Sequence, residues 1–226
     1  MFLSPHVFPS FSVLDPTVTF SLPVKQVANG IIDAFVHVTE QYLTYPVNAM
    51  IQDQFAEGIL RTLITEGPKT LQNPTDYDAR ANFMWAATMA LNGLIGVGVP
   101  QDWATHMIGH ELTAMFGIDH GRTLAVVYPA LMRILSAEKK EKLLQYADRV
   151  WNIKAGAEEA RIAQTISKTE AFFQSLGVPT RLREYNVSKS DIPAVLESLS
   201  GHEMTCLGEH GNVTLELSEK ILNDCF

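Results

Sequence analysis

Several classes of protein are excluded by what this sequence lacks. It has only two cysteines, Cys206 and Cys225, too few for a fold held together by disulfides. It has 17 basic against 25 acidic residues, a formal net charge of −8, so we expect no nucleic-acid partner. Residues 81–101 carry no charge, but their asparagines, glycines and proline make them too polar for a membrane span. We therefore expect no membrane association.

We also expect no secretory leader. The first nine residues contain two prolines and no lysine or arginine, so they do not resemble a signal peptide, and we expect a cytoplasmic location.

Apolar residues are abundant in the sequence. They make up 46% of its 226 residues, whereas 19% are charged. This length and composition are sufficient for one large domain with a sizeable core.

Most of the chain after Pro23 has the spacing, capping residues and breakers of helices. The first helix is predicted from Val24 to Leu43, and the second from about Val47 to Thr65, ending before Gly67 and Pro68. Further helices are predicted over residues 77–94, 102–116, 119–135, 137–150, 158–176, 191–199 and 215–223. Because no strands alternate with these segments, the sequence indicates an all-α fold, a helical bundle.

Residues 1–22 differ from the rest of the chain. Three prolines lie between positions 5 and 16, and the intervening residues are rich in β-branched and aromatic side chains. This composition predicts extended chain or a strand over Phe8–Phe20, and not a helix. No partner strand is evident downstream, so we expect an exposed apolar edge that promotes association.

The spacing of histidines indicates a metal site. Asp33 and His37 lie four residues apart in the first predicted helix, so both side chains project from one face. His106 and His110 repeat this spacing in the fourth helix, and His120 follows at the start of the fifth. Imidazole and carboxylate groups suit divalent metals such as Fe, Zn or Mn, and facing helices of a bundle commonly supply them. Spacing leaves open which of His106 and His110 is the ligand.

Each of these pairs has a simpler explanation when taken alone, because an Asp and a His at this spacing usually form an ordinary helix-surface pair. Burying all five groups on apolar helices, however, costs on the order of several kcal/mol per charge unless a metal or a partner compensates. Asn29 shares the face of Asp33 and is a candidate to line the site. Glu66, Glu111 and Asp119 are candidates to orient a ligand histidine, or are simply solvated charges.

Common hydrolase motifs are missing. The sequence has no Gly-x-Ser-x-Gly turn, and Ala114 stands where a His-Glu-x-x-His zinc protease starting at His110 needs its second histidine. A metal-dependent hydrolase on a helical scaffold is therefore kept only as an alternative.

Three stretches together carry a resemblance to a known family. They are NGIIDAFVHVTEQY at 29–42, VPQDWATHMIGHEL at 99–112 and GIDHG at 117–121. In this order they resemble the iron-containing alcohol dehydrogenases, particularly the branch of butanol dehydrogenases and NADPH-dependent aldehyde reductases. The resemblance covers nearly the whole chain. It implies the helical, metal-binding C-terminal domain that this family shares with dehydroquinate synthase-like proteins.

The resemblance also implies roles for individual residues. Asp33, His37, His106 and His120 become the metal ligands, with Fe²⁺ as the metal and Zn²⁺ or Mn²⁺ as alternatives. His110 becomes the catalytic histidine, on the substrate side, where it helps to relay the hydroxyl proton. The implied reaction transfers hydride between a small alcohol or aldehyde and NADP or NAD, while the metal polarises the oxygen.

The resemblance is incomplete at the N-terminal end. Family members place an α/β nucleotide-binding domain before the helical domain, and residues 1–22 resemble only the last strand of it. We expect the chain to be the C-terminal half of such an enzyme, with residues 23–226 as the metal-binding catalytic domain. A homo-oligomer, or association with a nucleotide-binding half, is expected. The competing interpretation is a non-catalytic remnant that binds metal but no nicotinamide.

Overall fold

The computed structural model describes residues 4–226 and confirms the all-α fold. Within this range the helices are α1 (Val24–Tyr42), α2 (Met50–Gln72), α3 (Tyr77–Leu91), α4 (Ala104–Phe116), α5 (His120–Ile134), α6 (Lys140–Arg149), α7 (Glu158–Ser175), α8 (Ile192–Gly201) and α9 (Leu215–Asp224). A small antiparallel hairpin pairs β1 (Cys206–Leu207) with β2 (Val213–Thr214) and was not predicted. Short 3-10 turns cover Pro5–Val7, Pro16–Thr19, Leu182–Tyr185 and Lys189–Asp191.

The apolar side chains form two cores. The first core joins α1, α2, α3, α6 and α7 and includes a cluster of aromatic rings, with Phe35 packed against both Phe172 and Phe173. The second core joins α4, α8, α9 and β2 through aliphatic side chains such as Ile108 and Leu199. The two cores together bury one face or more of every helix in the part of the chain described.

Helix α5 belongs to both cores. Leu124 and Tyr128 point into the first core, whereas Val127 and Leu131 point into the second. A helix that is apolar on all sides is expected to be buried, and α5 is almost completely enclosed by α1, α4, α7 and α9. Its first residue, His120, therefore emerges where the two cores meet.

The predicted end of α2 was wrong. The helix continues through Gly67 and Pro68 to Gln72. A Cβ atom at Gly67 would lie 3.0 Å from the Ile31 side chain, so the glycine lets α1 and α2 pack closely there. Pro68 lies in the last turns of the helix, where it removes one N–H donor without ending the element. Tertiary packing outweighed the local breaker signal.

The predicted strand over Phe8–Phe20 is absent from the described residues. Instead, Asp15 caps the 3-10 turn at Pro16–Thr19 by accepting the backbone N–H of Thr17. Phe8, Phe11 and Val13 are all more than three-quarters exposed. Composition alone indicated extended chain correctly but could not supply a neighbouring strand to pair with. Residues 1–3 of the predicted N-terminal segment lie outside the described range, and its separation from residues 23–226 as a domain stays a prediction.

Within the described range, no helix has both the length and the apolar character needed to cross a membrane.

Candidate metal centre

Three helices bring the predicted site residues together at the junction of the two cores. Helix α1 contributes Asp33 and His37, α4 contributes His106, and the first residue of α5 is His120. One ligand atom from each of Asp33, His37 and His106 lies within 4.8 Å of the others. The Nε2 atom of His120 lies 3.4 Å from Oδ1 of Asp33 and completes a group of four.

The Oδ1 atom of Asp33 is the centre of this group. It lies 3.5 Å from Nδ1 of His37, 3.9 Å from Nε2 of His106 and 3.4 Å from Nε2 of His120. This oxygen is buried and has no hydrogen-bond partner among residues 4–226. An unpaired buried carboxylate oxygen is costly, and a cation shared with the three facing imidazole nitrogens would offset that cost. The donor set therefore fits a divalent metal ion.

His106 is oriented by a buried carboxylate that the sequence interpretation missed. Glu40, one turn beyond His37 on α1, faces Nδ1 of His106 with one oxygen and accepts the backbone N–H of Thr105 with the other, at 2.7 Å. A carboxylate that accepts the Nδ1 proton leaves Nε2 of the ring free for a metal. The spacing of Glu40 from Asp33 and His37 on one face of α1 was the signal available in the sequence.

Burial sets the protonation of the ligand rings. It lowers the pKa of His106 to about 3 and that of His120 to about 4, so both rings are neutral near pH 7. Neutral imidazole is the form that binds a metal. Burial and the neighbouring charge of Asp102 raise the pKa of Glu40 to about 8. A cation at Nε2 of His106 would favour the ionised form of Glu40.

His37 has two competing contacts. Its Nδ1 atom lies 3.2 Å from Nε2 of His106 but also 2.8 Å from the carbonyl oxygen of Asp33. The ring must lose this backbone hydrogen bond before the same nitrogen can bind a cation. Trp103 packs edge-on against both His37 and His106, with ring centroids 5.6 and 5.3 Å away. It adopts a left-handed backbone conformation, with φ of 63°, which is uncommon for so bulky a residue.

His110 occupies the outer edge of the site. Its ring stacks on that of His120 with centroids 4.7 Å apart, whereas its centroid is 6.2 Å from that of His106. The side chain is exposed, and partial desolvation lowers its pKa below the usual histidine value. The arrangement separates the two histidines that spacing left equivalent: His106 points into the cluster and His110 lies at its rim.

Asn29 and Asp119 hold the start of α5 against α1. The amide of Asn29 donates to Asp119 at 2.9 Å, and Lys25 binds the same carboxylate oxygen at 2.7 Å. A Cβ atom at Gly121 would lie 2.5 Å from the carbonyl oxygen of Asn29, so only glycine permits this approach. Asn29, Asp33, Asp119 and His120 line a cleft of about 340 Å³ beside the cluster.

The other two candidate partners lie elsewhere. Glu111 is buried but binds His202 and Ser198 of the α8 region, at 2.8 and 2.5 Å. Glu66 pairs with Lys69 on the surface of α2. Neither of these glutamates orients a histidine of the cluster. Of the three predicted supporting residues, only Asp119 acts near the cluster, where it holds the start of the helix that carries His120.

Comparison with known proteins agrees with this geometry. The profile described as Fe-containing alcohol dehydrogenase family, C-terminal, matches residues 27–222. The NADPH-dependent aldehyde reductase YqhD of Escherichia coli is 60% identical over 220 residues, which are 97% of this chain and 57% of that protein. NADH-dependent butanol dehydrogenase A of Clostridium acetobutylicum is 41% identical over 186 residues, 81% of this chain and 48% of its own length.

A solved structure is also similar to this chain. The substrate- and cofactor-free form of the aldehyde reductase YqhD from E. coli superposes with a TM-score of 0.98 and 59% identity. The alignment covers 100% of this chain and 59% of that one. The chain thus spans about half the length of the relatives it matches. On these matches, the chain belongs to the Fe-containing alcohol dehydrogenase family and corresponds to its C-terminal region.

Proposed function

We propose that this chain is the metal-binding catalytic half of an alcohol dehydrogenase or aldehyde reductase that uses NADP or NAD. The observation that carries the proposal is the unpaired Oδ1 of Asp33, which faces nitrogens of His37, His106 and His120 from three helices. The similarity to an NADPH-dependent aldehyde reductase supports the reaction class. A cytoplasmic location and assembly as a homo-oligomer remain predictions of the sequence.

Asp33, His37, His106 and His120 would hold the metal, with Fe²⁺ proposed and Zn²⁺ or Mn²⁺ as alternatives. One carboxylate and three imidazoles form a mixed O and N donor set, which suits these ions. Bound there, the cation supplies Lewis-acid polarisation of the substrate oxygen, worth roughly several kcal/mol in the transition state.

The protein groups orient and protect the reacting atoms. Glu40 fixes the ring of His106, and Asn29 and Asp119 fix the backbone at His120. Trp103 covers one side of His37 and His106 and limits the access of water there. His110, exposed and stacked on His120, is placed to pass a proton between the substrate hydroxyl and solvent. The nicotinamide would be held by a nucleotide-binding domain of the kind that precedes the helical domain in the family.

A turnover assay tests the proposal. The chain is supplied with Fe²⁺, NADPH and butyraldehyde, and NADPH absorbance is followed, first with the chain alone and then with the chain preceded by the uncovered part of the E. coli aldehyde reductase. We expect metal-dependent turnover in the second case. Metal binding without turnover in either case would support the non-catalytic remnant instead. Ester cleavage without nicotinamide would support the hydrolase.

A further inference from the structure

We infer that Lys139 is a positioning residue for the metal centre, acting through the first turn of α4. The inference rests on the proposed function only in assuming that the histidine cluster binds a metal. Lys139 lies just before α6, and its side chain is only 3% exposed. A buried ammonium needs several partners to offset its desolvation.

Three separate segments provide the partners of Lys139. Its ammonium donates to the carbonyl oxygen of Leu43 at 2.9 Å, immediately after α1. It binds the carboxylate of Asp102, immediately before α4, at 2.7 Å. It also binds both oxygens of Glu209, in the loop between β1 and β2, at 2.7 Å. One side chain therefore ties together the end of α1, the start of α4 and the hairpin.

Asp102 and Glu40 then transmit this constraint to His106. The backbone N–H of Asp102 donates to the carbonyl oxygen of Glu40 at 2.9 Å, and the Asp102 carboxylate accepts the N–H of Ala104 at 2.9 Å. The Glu40 carboxylate accepts the N–H of Thr105 and faces His106. These contacts fill donors of the first turn of α4, whose position relative to α1 sets the separation of His106 from His37 and Asp33.

The hairpin is fitted closely to this cluster. Gly208 adopts φ of 82°, and a Cβ atom there would lie 3.6 Å from the Asp102 carboxylate and 3.1 Å from Val213. The carboxylates of Asp102 and Glu209 are 3% and 4% exposed. Without the ammonium, two buried carboxylates beside Glu40 would repel each other, and the start of α4 would have to move to admit water.

The test is Co²⁺ binding to the unmodified chain and to Lys139→Met, using Co²⁺ alone as the probe. Affinity is measured by competition with a chelating dye, and the geometry of the site is read from the visible absorption of bound Co²⁺. We expect Lys139→Met to weaken binding by about 10- to 100-fold, the range for loss of groups that support metal ligands. We also expect a changed Co²⁺ spectrum at saturation.

Two control variants separate positioning from general stability. Lys140→Met removes the neighbouring ammonium, which pairs with Glu158 at the surface. Arg133→Met removes a cation that bridges Glu170 and Asp224 away from the site, so it destabilises the fold without touching α4. Both should keep Co²⁺ affinity and spectrum unchanged, even where the melting temperature of Arg133→Met falls as far as that of Lys139→Met.

A second variant covers the case in which Lys139→Met does not fold. Asp102→Asn keeps its backbone hydrogen bond to Glu40 but weakens the contact with Lys139. We therefore expect a smaller loss of Co²⁺ affinity and a smaller change in the Co²⁺ spectrum than in Lys139→Met. Unchanged affinity and spectrum in a folded Lys139→Met, or in Asp102→Asn, would overturn the inference alone. No Co²⁺ binding by the unmodified chain would overturn the proposed function as well.

Discussion

The first core is rich in aromatic rings, whereas the buried members of the second core are aliphatic side chains and one cysteine. Aromatic packing in the first core surrounds α1, with Phe35 edge-on to Phe173 and Tyr42 near Tyr146. The second core instead packs α4, α8 and α9 through branched aliphatic residues. The candidate metal centre combines Asp33 and His37, from a helix of the first core, with His106, from a helix of the second.

The polar groups gather at the seam between the two cores, where α1 of the first core meets the start of α4 of the second. Buried polar groups are tolerated there because they pair with one another, Glu40 with His106 through a hydrogen bond and Lys139 with Asp102 through an ion pair. The seam therefore holds the candidate metal site and joins the two cores.

The largest expected effect is the loss of metal affinity when one of the proposed ligand histidines is removed. His106→Ala and His120→Ala should each lower Co²⁺ or Fe²⁺ affinity by about 100-fold or more, because each removes one of four donors. His110→Ala should retain most of the binding, since its ring lies at the rim. Isothermal titration with each metal measures the three affinities. Loss of metal in His110→Ala with retention in His106→Ala would reverse the assignment.

A matched pair of core substitutions tests whether the two regions unfold together. Leu60→Ala in the first core and Leu199→Ala in the second each truncate a fully buried leucine and should cost about 2–5 kcal/mol. Because α5 is shared, both variants should melt in one step. Far-UV circular dichroism reports all helices. With Trp85 and Trp103 replaced by Phe in every variant, the fluorescence of Trp151 reports the first core. If Leu199→Ala loses helical signal before Trp151 responds, the cores are independent units.

A glycine pair tests the close contact at the joint itself. Gly121→Ala places a Cβ atom against the Asn29 carbonyl oxygen, so we expect a loss of about 1–3 kcal/mol and weaker metal binding as His120 shifts. The control is Gly58→Ala in α2, where no atom lies within 4 Å of the new Cβ. That change should stabilise the chain by about 0.5–1 kcal/mol. Urea denaturation gives both values, and equal effects would show that the contact at Gly121 is unimportant.

The smallest effect concerns the two cysteines. Cys225 is next to the C-terminus, but the structure buries it in the second core, and burial raises the pKa of that thiol. Cys206 is exposed. In the native protein Cys206 should react quickly with a disulfide reagent, whereas Cys225 should react only on unfolding. Mass spectrometry of the labelled chain identifies which cysteine carries the label. Rapid labelling of Cys225 would show that the second core opens easily.

The parts of the fold that were predictable depend on local pattern. Capping residues and turns near Asn73, Gly117 and Asp119 gave helix ends within a few residues of those observed. The end of α2 and the strand at Phe8–Phe20 were wrong, because each depends on a neighbour: Ile31 supports the helix through Gly67, and no described strand pairs with Phe8–Phe20. Local signals do not report whether such a neighbour exists.

The sequence by itself determined that Asp33 with His37, and His106 with His110, share helix faces, because the period of the α-helix makes residues four apart neighbours. Only the tertiary structure decided that His106 turns inward while His110 stays at the rim. It also decided that Glu40 contacts His106, 66 positions away, and that Lys139 contacts Glu209, 70 positions away. These side-chain positions depend on how α1, α4 and α5 cross. The packing of the two cores determines those crossings, and no single stretch of sequence does.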